Sequence, residues 1–107
     1  ICTTIESNRY YSNFMGNTPM PWERAEAMAK ISKSLKTFVT IEPIMAFDVG
    51  SLVELIKMCN PGQVNLGGNT SNILLPEPRP SEILALIEAL ETFTIVHQKS
   101  NLKRLME

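Results

Sequence analysis

The chain has 107 residues, 44% of them apolar, which is enough for one domain with a real core and too apolar for a disordered segment. Its 10 basic and 11 acidic residues leave a net charge of −1, so there is no strong nucleic-acid footprint and no polybasic membrane anchor. No apolar run approaches the roughly 20 residues that span a bilayer, and Ile1-Cys2-Thr3-Thr4-Ile5 lacks the basic start and long apolar stretch of a signal peptide.

Cys2-Thr3-Thr4-Ile5-Glu6 is a short β-rich run that ends in the loop chemistry of Ser7-Asn8-Arg9. Residues 10–21, with Gly16, Asn17, Pro19 and Pro21, read as a long loop. A helix is expected from Pro21, a residue suited to a first helical turn. Its apolar stripe is Trp22, Ala25, Met28, Ala29 and Leu35, and Glu23, Glu26, Lys30 and Lys33 lie opposite. The clearest strand is Thr37-Phe38-Val39-Thr40-Ile41, ended by Glu42-Pro43 because proline cannot donate to a ladder.

Ser51-Leu52-Val53-Glu54 has the spacing of a capping box and predicts a helix start at Ser51. The stripe Leu52, Leu55, Ile56 and Cys59 follows, and Asn60-Pro61-Gly62 stops the helix. Gln63-Val64-Asn65-Leu66 is a third strand that runs into Gly67-Gly68-Asn69. A polar loop is expected from there to Pro80. A third helix starts around Ser81 with Ile83, Leu86, Ile87 and Leu90 on one face. Phe93-Thr94-Ile95-Val96-His97 is the fourth strand, and Asn101 is placed to cap a short last helix over 102–106.

Strand starts near residues 2, 38, 63 and 93 are separated by 25 to 36 residues, the length of βαβ units. The expected fold is therefore α/β: a four-stranded parallel sheet of βα units, equivalent to half of a TIM-like barrel. Such a sheet leaves two unpaired edges, so residues 1–107 read as a single α/β unit that is either half of a larger barrel or completed by a second copy. The absence of an initiator Met fits that expectation. The expected partners are the missing half of the barrel or a second copy of the chain. Cys2 and Cys59, with one His in the chain, make neither a disulfide framework nor a standard zinc site. Two small buried thiols in a reducing cytoplasm are expected.

In parallel α/β folds ligands bind outside the carboxyl ends of the strands. Those ends read Glu6-Ser7-Asn8-Arg9, Glu42-Pro43, Asn65-Leu66-Gly67-Gly68-Asn69 and His97-Gln98-Lys99, so polar groups are expected to converge on one rim. Glu42 follows a strand directly. Its carboxylate can accept from a ribose or an ammonium, act as a base, or cap amides of a neighbouring loop. Arg9, Lys99 and the amides around Gly67 are its expected donors. Glu6 has the same placement, with an ion pair to Arg9 as the alternative. Gly67-Gly68 permits close backbone approach or a positive φ, or is a simple turn; no phosphate-loop motif is present. His97 and Lys99 are rim candidates, against the alternatives of a structural histidine and a solvated lysine. No nucleophile lies beside a base in a local signature and no metal-ligand spacing occurs, so no catalytic residue is assigned.

The runs Thr4-Ile5-Glu6-Ser7-Asn8-Arg9, Val39-Thr40-Ile41-Glu42-Pro43-Ile44-Met45, Val64-Asn65-Leu66-Gly67-Gly68-Asn69 and Val96-His97-Gln98-Lys99 are spread along nearly the whole chain. In their order and spacing the sequence resembles the C-terminal half of radical-SAM-type (βα) barrel proteins, in particular a phage-related branch. The resemblance implies a parent enzyme with S-adenosylmethionine and a 4Fe-4S cluster. It implies a cofactor groove at Glu6, Asn8, Glu42, Asn65, Gly67 and Gly68, and substrate contacts at Arg9, His97 and Lys99. The sequence departs from the family in lacking the C-x3-C-x2-C cluster motif, which belongs to the N-terminal half; two thiols do not replace three. The isolated chain is expected to bind no cluster and to be inactive. Two rival readings are a fragment of another (βα) barrel enzyme acting on a phosphate or sugar, and a non-catalytic module that dimerises through its sheet edges.

Overall fold

The computed structural model describes residues 1–70 and 74–107; residues 71–73 of the polar loop expected before Pro80 lie outside the described set. Four strands, β1 (Cys2–Thr4), β2 (Phe38–Ile41), β3 (Gln63–Leu66) and β4 (Ile95–Gln98), form one sheet in the order β1-β2-β3-β4 with every pair parallel. The α/β expectation holds, with strand order equal to chain order. Between the strands lie α1 (Ser12–Met15), α2 (Pro21–Ile31), α3 (Val49–Cys59) and α4 (Pro80–Leu90). A 3-10 turn at Ser100–Leu102 leads into α5 (Lys103–Met106). No helix among the described residues is long and apolar enough to cross a membrane.

Alternation within the strands separates the two faces of the sheet. Val39, Ile41, Val64 and Leu66 are wholly buried and share one core with Ala25 and Met28 of α2, Leu52 and Ile56 of α3, and Ile83, Leu86 and Leu90 of α4. The helices therefore cover one face. The other face carries Thr40, Asn65 and their neighbours, which keep partial exposure.

Several elements differ from the sequence reading. The loop over 10–21 contains α1, held by the bond from Met15 N–H to Tyr11 O at 2.8 Å, with Met15 buried beneath it. Trp22 and Leu35, expected in the buried stripe of α2, are 46% and 53% exposed, because the helix ends at Ile31 and its inner face is set by Ala25 and Met28. Helix α3 begins at Val49, two residues before Ser51, with Asp48 as its N-cap residue. Asp48 makes no capping bond there, because its carboxylate is taken by distant partners described below. Cys59 is buried as expected, and burial pushes its thiol up to about 11. Cys2 is exposed, because it lies on the uncovered face of edge strand β1.

The segment after β2 ties its neighbours together. The Glu42-Pro43 peptide is cis. Beyond it, Ile44 N–H donates to Gly67 O at 2.9 Å, Met45 N–H to Glu6 O at 3.0 Å and Ala46 N–H to Pro76 O at 2.7 Å. Ala46 O in turn accepts from Ser7 Oγ and Tyr11 Oη, each at 2.8 Å. Ile44, Met45 and Phe47 are buried, so this short loop satisfies its backbone and fills core at once.

Candidate functional site

The parallel register lays the uncovered face out in level rows. Cys2, Phe38, Gln63 and Ile95 are mutual partners in the lower row, and Thr4, Thr40, Asn65 and His97 in the row above. Two residues further along each strand, at the carboxyl ends, stand Glu6, Glu42, Gly67 and Lys99. The face thus grades from a partly apolar floor through a polar row to a charged rim.

Glu42 is the node of that rim. Lys99 Nζ donates to its Oε1 at 2.6 Å and Asn101 Nδ2 to its Oε2 at 2.7 Å. Asn101 Oδ1 accepts Gly68 N–H at 3.0 Å, so one carboxamide bridges the carboxylate and the glycine backbone. The role expected for Asn101 as a cap of the last helix is replaced by this bridge. Leu102 precedes α5 instead. Of the donors expected for Glu42, Lys99 is present and Arg9 is elsewhere. The Gly67 amide is taken by Ile41 O at 3.0 Å, continuing the ladder.

The glycines are explained by space. Neither has a positive φ. A Cβ on Gly67 would lie 2.7 Å from Glu42 Cδ and Oε2, and one on Gly68 would lie 2.7 Å from the Asn101 carbonyl oxygen. The close approach that Gly67-Gly68 permits is made by the protein's own Glu42 and Asn101.

The Lys99 bond, then the Asn101 bond, hold the Glu42 carboxyl below its ordinary value of 4.5, against the opposing effect of burial. A carboxyl lowered in the folded state contributes stability above its unfolded pKa and loses it as pH falls through the folded one. The expected result is that Glu42→Gln costs about 1–2 kcal/mol at neutral pH, a charge-assisted bond trimmed by the exposure of Lys99. The gap between parent and variant should close as pH falls below 4.5. Urea melts at pH 7 and pH 3 check it; a gap independent of pH would contradict the assignment.

A second cluster sits on the loop after β1. Arg9 grips Asp48 with both ends of its fork, Nε to Oδ2 at 3.0 Å and Nη2 to Oδ1 at 2.7 Å. Asn8 and Asp48 bond reciprocally, side-chain amide to Oδ2 at 3.0 Å and Asp48 N–H to Asn8 Oδ1 at 2.8 Å. Arg9 first, then Asn8, bring the Asp48 carboxyl down to about 2. The same pair raises the Arg9 guanidinium further. Glu6 forms its ion pair with Arg24 of α2 at 2.9 Å, and Arg24 also donates to the carbonyl of Thr4. The Glu6–Arg9 pair offered as an alternative is therefore not formed.

The predicted site residues thus fall into separate groups. Glu42, Gly67, Gly68 and Lys99 meet around Asn101; Asn8 and Arg9 meet around Asp48; Glu6 is held by Arg24. Asn65 accepts from Gln63 Nε2 at 2.8 Å and stands beside His97 in the polar row. Asp48, Arg24 and Asn101 were missed as partners. Asp48 carried a signal, an acidic residue just before an apolar helical run; Arg24 and Asn101 act through long-range contacts that no local pattern marks. Among the described residues no group of three His, Cys, Asp or Glu side chains gathers as a metal site. Away from the rim, an open groove of about 430 Å³ is lined by Asn8, Trp22, Gly50, Ser51, Glu54 and Leu55, between α2 and the start of α3.

Comparison of the chain with protein-family models, with curated proteins and with solved structures finds no match.

Proposed function

We propose that the chain is the C-terminal half of a radical-SAM-like (βα) barrel enzyme of the cytoplasm and contributes its S-adenosylmethionine and substrate groove. The observation that carries this reading is the one-sided sheet. Purely parallel sheets are normally covered on both faces. Here helices cover one face, strand order never reverses, and the open face is polar with a charged rim at the carboxyl ends. These features support reading the sheet as one wall of a barrel with its open face toward the lumen.

In this reading Glu6, Asn8, Glu42, Asn65, Gly67 and Gly68 line the cofactor side and Arg9, His97 and Lys99 the substrate side. The fit to S-adenosylmethionine rests on acceptors: Glu6 and Glu42 keep 21% and 25% side-chain exposure, and each Glu42 oxygen has spare acceptor capacity beyond its one bond. The 4Fe-4S cluster does not fit this chain, since an exposed Cys2 and a buried Cys59 are only two thiols. It would be held by the other half of the parent. When bound, cluster and S-adenosylmethionine supply one-electron chemistry. The residues here bind and orient: Lys99 and Asn101 fix the Glu42 carboxylate, and Arg24 fixes Glu6.

Titration calorimetry on the protein that carries this chain tests the reading. Glu42→Gln should weaken S-adenosylmethionine binding by about 1–3 kcal/mol, or roughly 5- to 150-fold, with the fold intact by melting. Equal affinities would sink the cofactor role of Glu42. A second reading, a module that dimerises through its sheet edges, draws on Ile95, which is 66% exposed on edge strand β4. A stable dimer in sedimentation, together with no binding of S-adenosylmethionine, favours it.

A further inference from the structure

The groove of about 430 Å³ between α2 and the start of α3 plays no part in the rim network. Its walls are Trp22 of α2, Gly50, Ser51, Glu54 and Leu55 of α3, and Asn8 from the loop after β1. Trp22 and Leu55 give it apolar surface, and the volume is that of a small-molecule site.

The lining has one charged group, the Glu54 carboxylate, and no side chain neutralises it. Among the described residues neither that carboxylate nor the Ser51 hydroxyl has a hydrogen-bond or ion-pair partner. Bases on the neighbouring elements are engaged elsewhere. Arg9 is paired with Asp48 and Arg24 with Glu6. Lys57, the one base of α3, lies over the Phe93 ring, 5.7 Å from its centroid. Lys30 stands near the far end of α2, roughly 12 Å along the axis from Trp22.

Beside this acid stands the single tryptophan of the chain, 46% exposed. An indole face attracts cations through its ring quadrupole, more strongly than the other aromatic rings. A carboxylate and an indole in one groove therefore both favour a positive ligand. The start of α3 acts the other way, but a helix start carries only roughly half a positive charge, less than Glu54 opposes to it. The kind of cation follows from the acceptors. A guanidinium brings a fork of N–H donors that each want an acceptor. The groove offers the Glu54 carboxylate and the Ser51 hydroxyl, since the Asn8 carboxamide is bonded at both ends to Asp48. An alkylated ammonium needs few acceptors or none, and its alkyl groups suit Trp22 and Leu55.

We propose that this groove binds a small organic cation with an alkylated ammonium head, its charge held by Trp22 and Glu54 and its apolar body against Leu55. Of its walls only Asn8 belongs to the proposed cofactor set, and its carboxamide, committed to Asp48, adds no contact here.

Because Trp22 is the only tryptophan, its fluorescence reports this groove directly. The chain is titrated with choline at constant ionic strength, and separately with agmatine, glucose and inorganic phosphate. The expected result is a saturable change with choline, a weaker one with agmatine, and none with glucose or phosphate. Glu54→Gln should weaken choline binding about three- to fivefold, as for one exposed ion pair. Glu88→Gln, which removes an exposed carboxylate from α4, should leave it unchanged. Trp22→Leu, followed by the amide NMR signals of Gly50 and Ser51, should weaken it roughly tenfold. All three positions are exposed, and circular dichroism checks that each variant folds. No saturable response to choline overturns the proposal, as does undiminished affinity in Glu54→Gln or an equal loss in Glu88→Gln. Tighter binding of agmatine, or a saturable response to glucose or phosphate, would mean another ligand class and also overturn it. None of these variants touches Glu42 or the glycines, so the outcome is separate from the S-adenosylmethionine reading.

Discussion

Gly68→Ala is expected to destabilise the chain by about 1–3 kcal/mol, the cost of forcing an extra carbon into a packed site. The reason is the identity of the obstacle. The new Cβ would meet the backbone carbonyl oxygen of Asn101 at 2.7 Å, with Leu105 Cδ1 at 3.3 Å behind it. A backbone carbonyl cannot rotate away as a side chain can. The segment carrying Asn101 must lift, and with it go the bonds from Asn101 to Glu42 and from Gly68 to Asn101. At Gly67 the nearest atoms belong to the Glu42 side chain, so relief is possible there only by breaking the rim network. Gly50 is the internal control: it lies in α3 with nothing within 4 Å of a built Cβ. Gly50→Ala should be neutral or raise stability by up to about 0.5–1 kcal/mol through helix propensity. Thermal melts of both variants decide the matter; equal effects at the two glycines would remove the steric account of Gly68.

Ile41→Ala is expected to cost about 3–4 kcal/mol, within the range for emptying a fully buried branched side chain. Ile41 is 0% exposed in a central strand, packed in the core shared with α2, α3 and α4. A domain of this size is held by only about 5–15 kcal/mol, so the melting point should fall by more than about 10 °C. The neighbouring Thr40 points to the other face and is only partly covered. Thr40→Ala should therefore change stability by less than about 1 kcal/mol. The contrast between adjacent residues is the energetic signature of a sheet packed on one side. A loss at Thr40 as large as that at Ile41 would mean that both faces are packed.

The architecture was legible because two periodicities agree with each other. Alternation in residues 37–41 and 63–66 separates the faces, and the strand spacing predicts crossover helices; both appear in the all-parallel sheet. Pro21 marked a helix start correctly, since its missing N–H costs nothing in a first turn, and the helix expected from around Ser81 starts one residue earlier, at Pro80. At Ser51 the local signal misled. The capping-box pattern describes only short-range bonds, whereas the helix starts two residues earlier, after Asp48, which makes no capping bond and whose carboxylate is committed to Asn8 and Arg9 some 40 residues away in sequence. The candidate site was half legible for the same reason. Strand tips identified Glu42, Lys99 and the paired glycines as neighbours, but Asn101 looked like a helix cap because nothing local shows that its amide reaches Glu42.

A sheet whose strand order equals its chain order also has a consequence for how such a chain can change length. Each strand hydrogen-bonds only to those before and after it, and α3 lies between α2 and α4. Another βα segment joined at either terminus would dock on the terminal strand and leave every existing register untouched. Stability in such an array accumulates by adjacent units, much as in solenoid repeats, so duplication or fusion could lengthen it without rethreading. The two outer strands are in that sense growth points, equally ready to receive a further segment of polypeptide on the side of Cys2 or of Gln98.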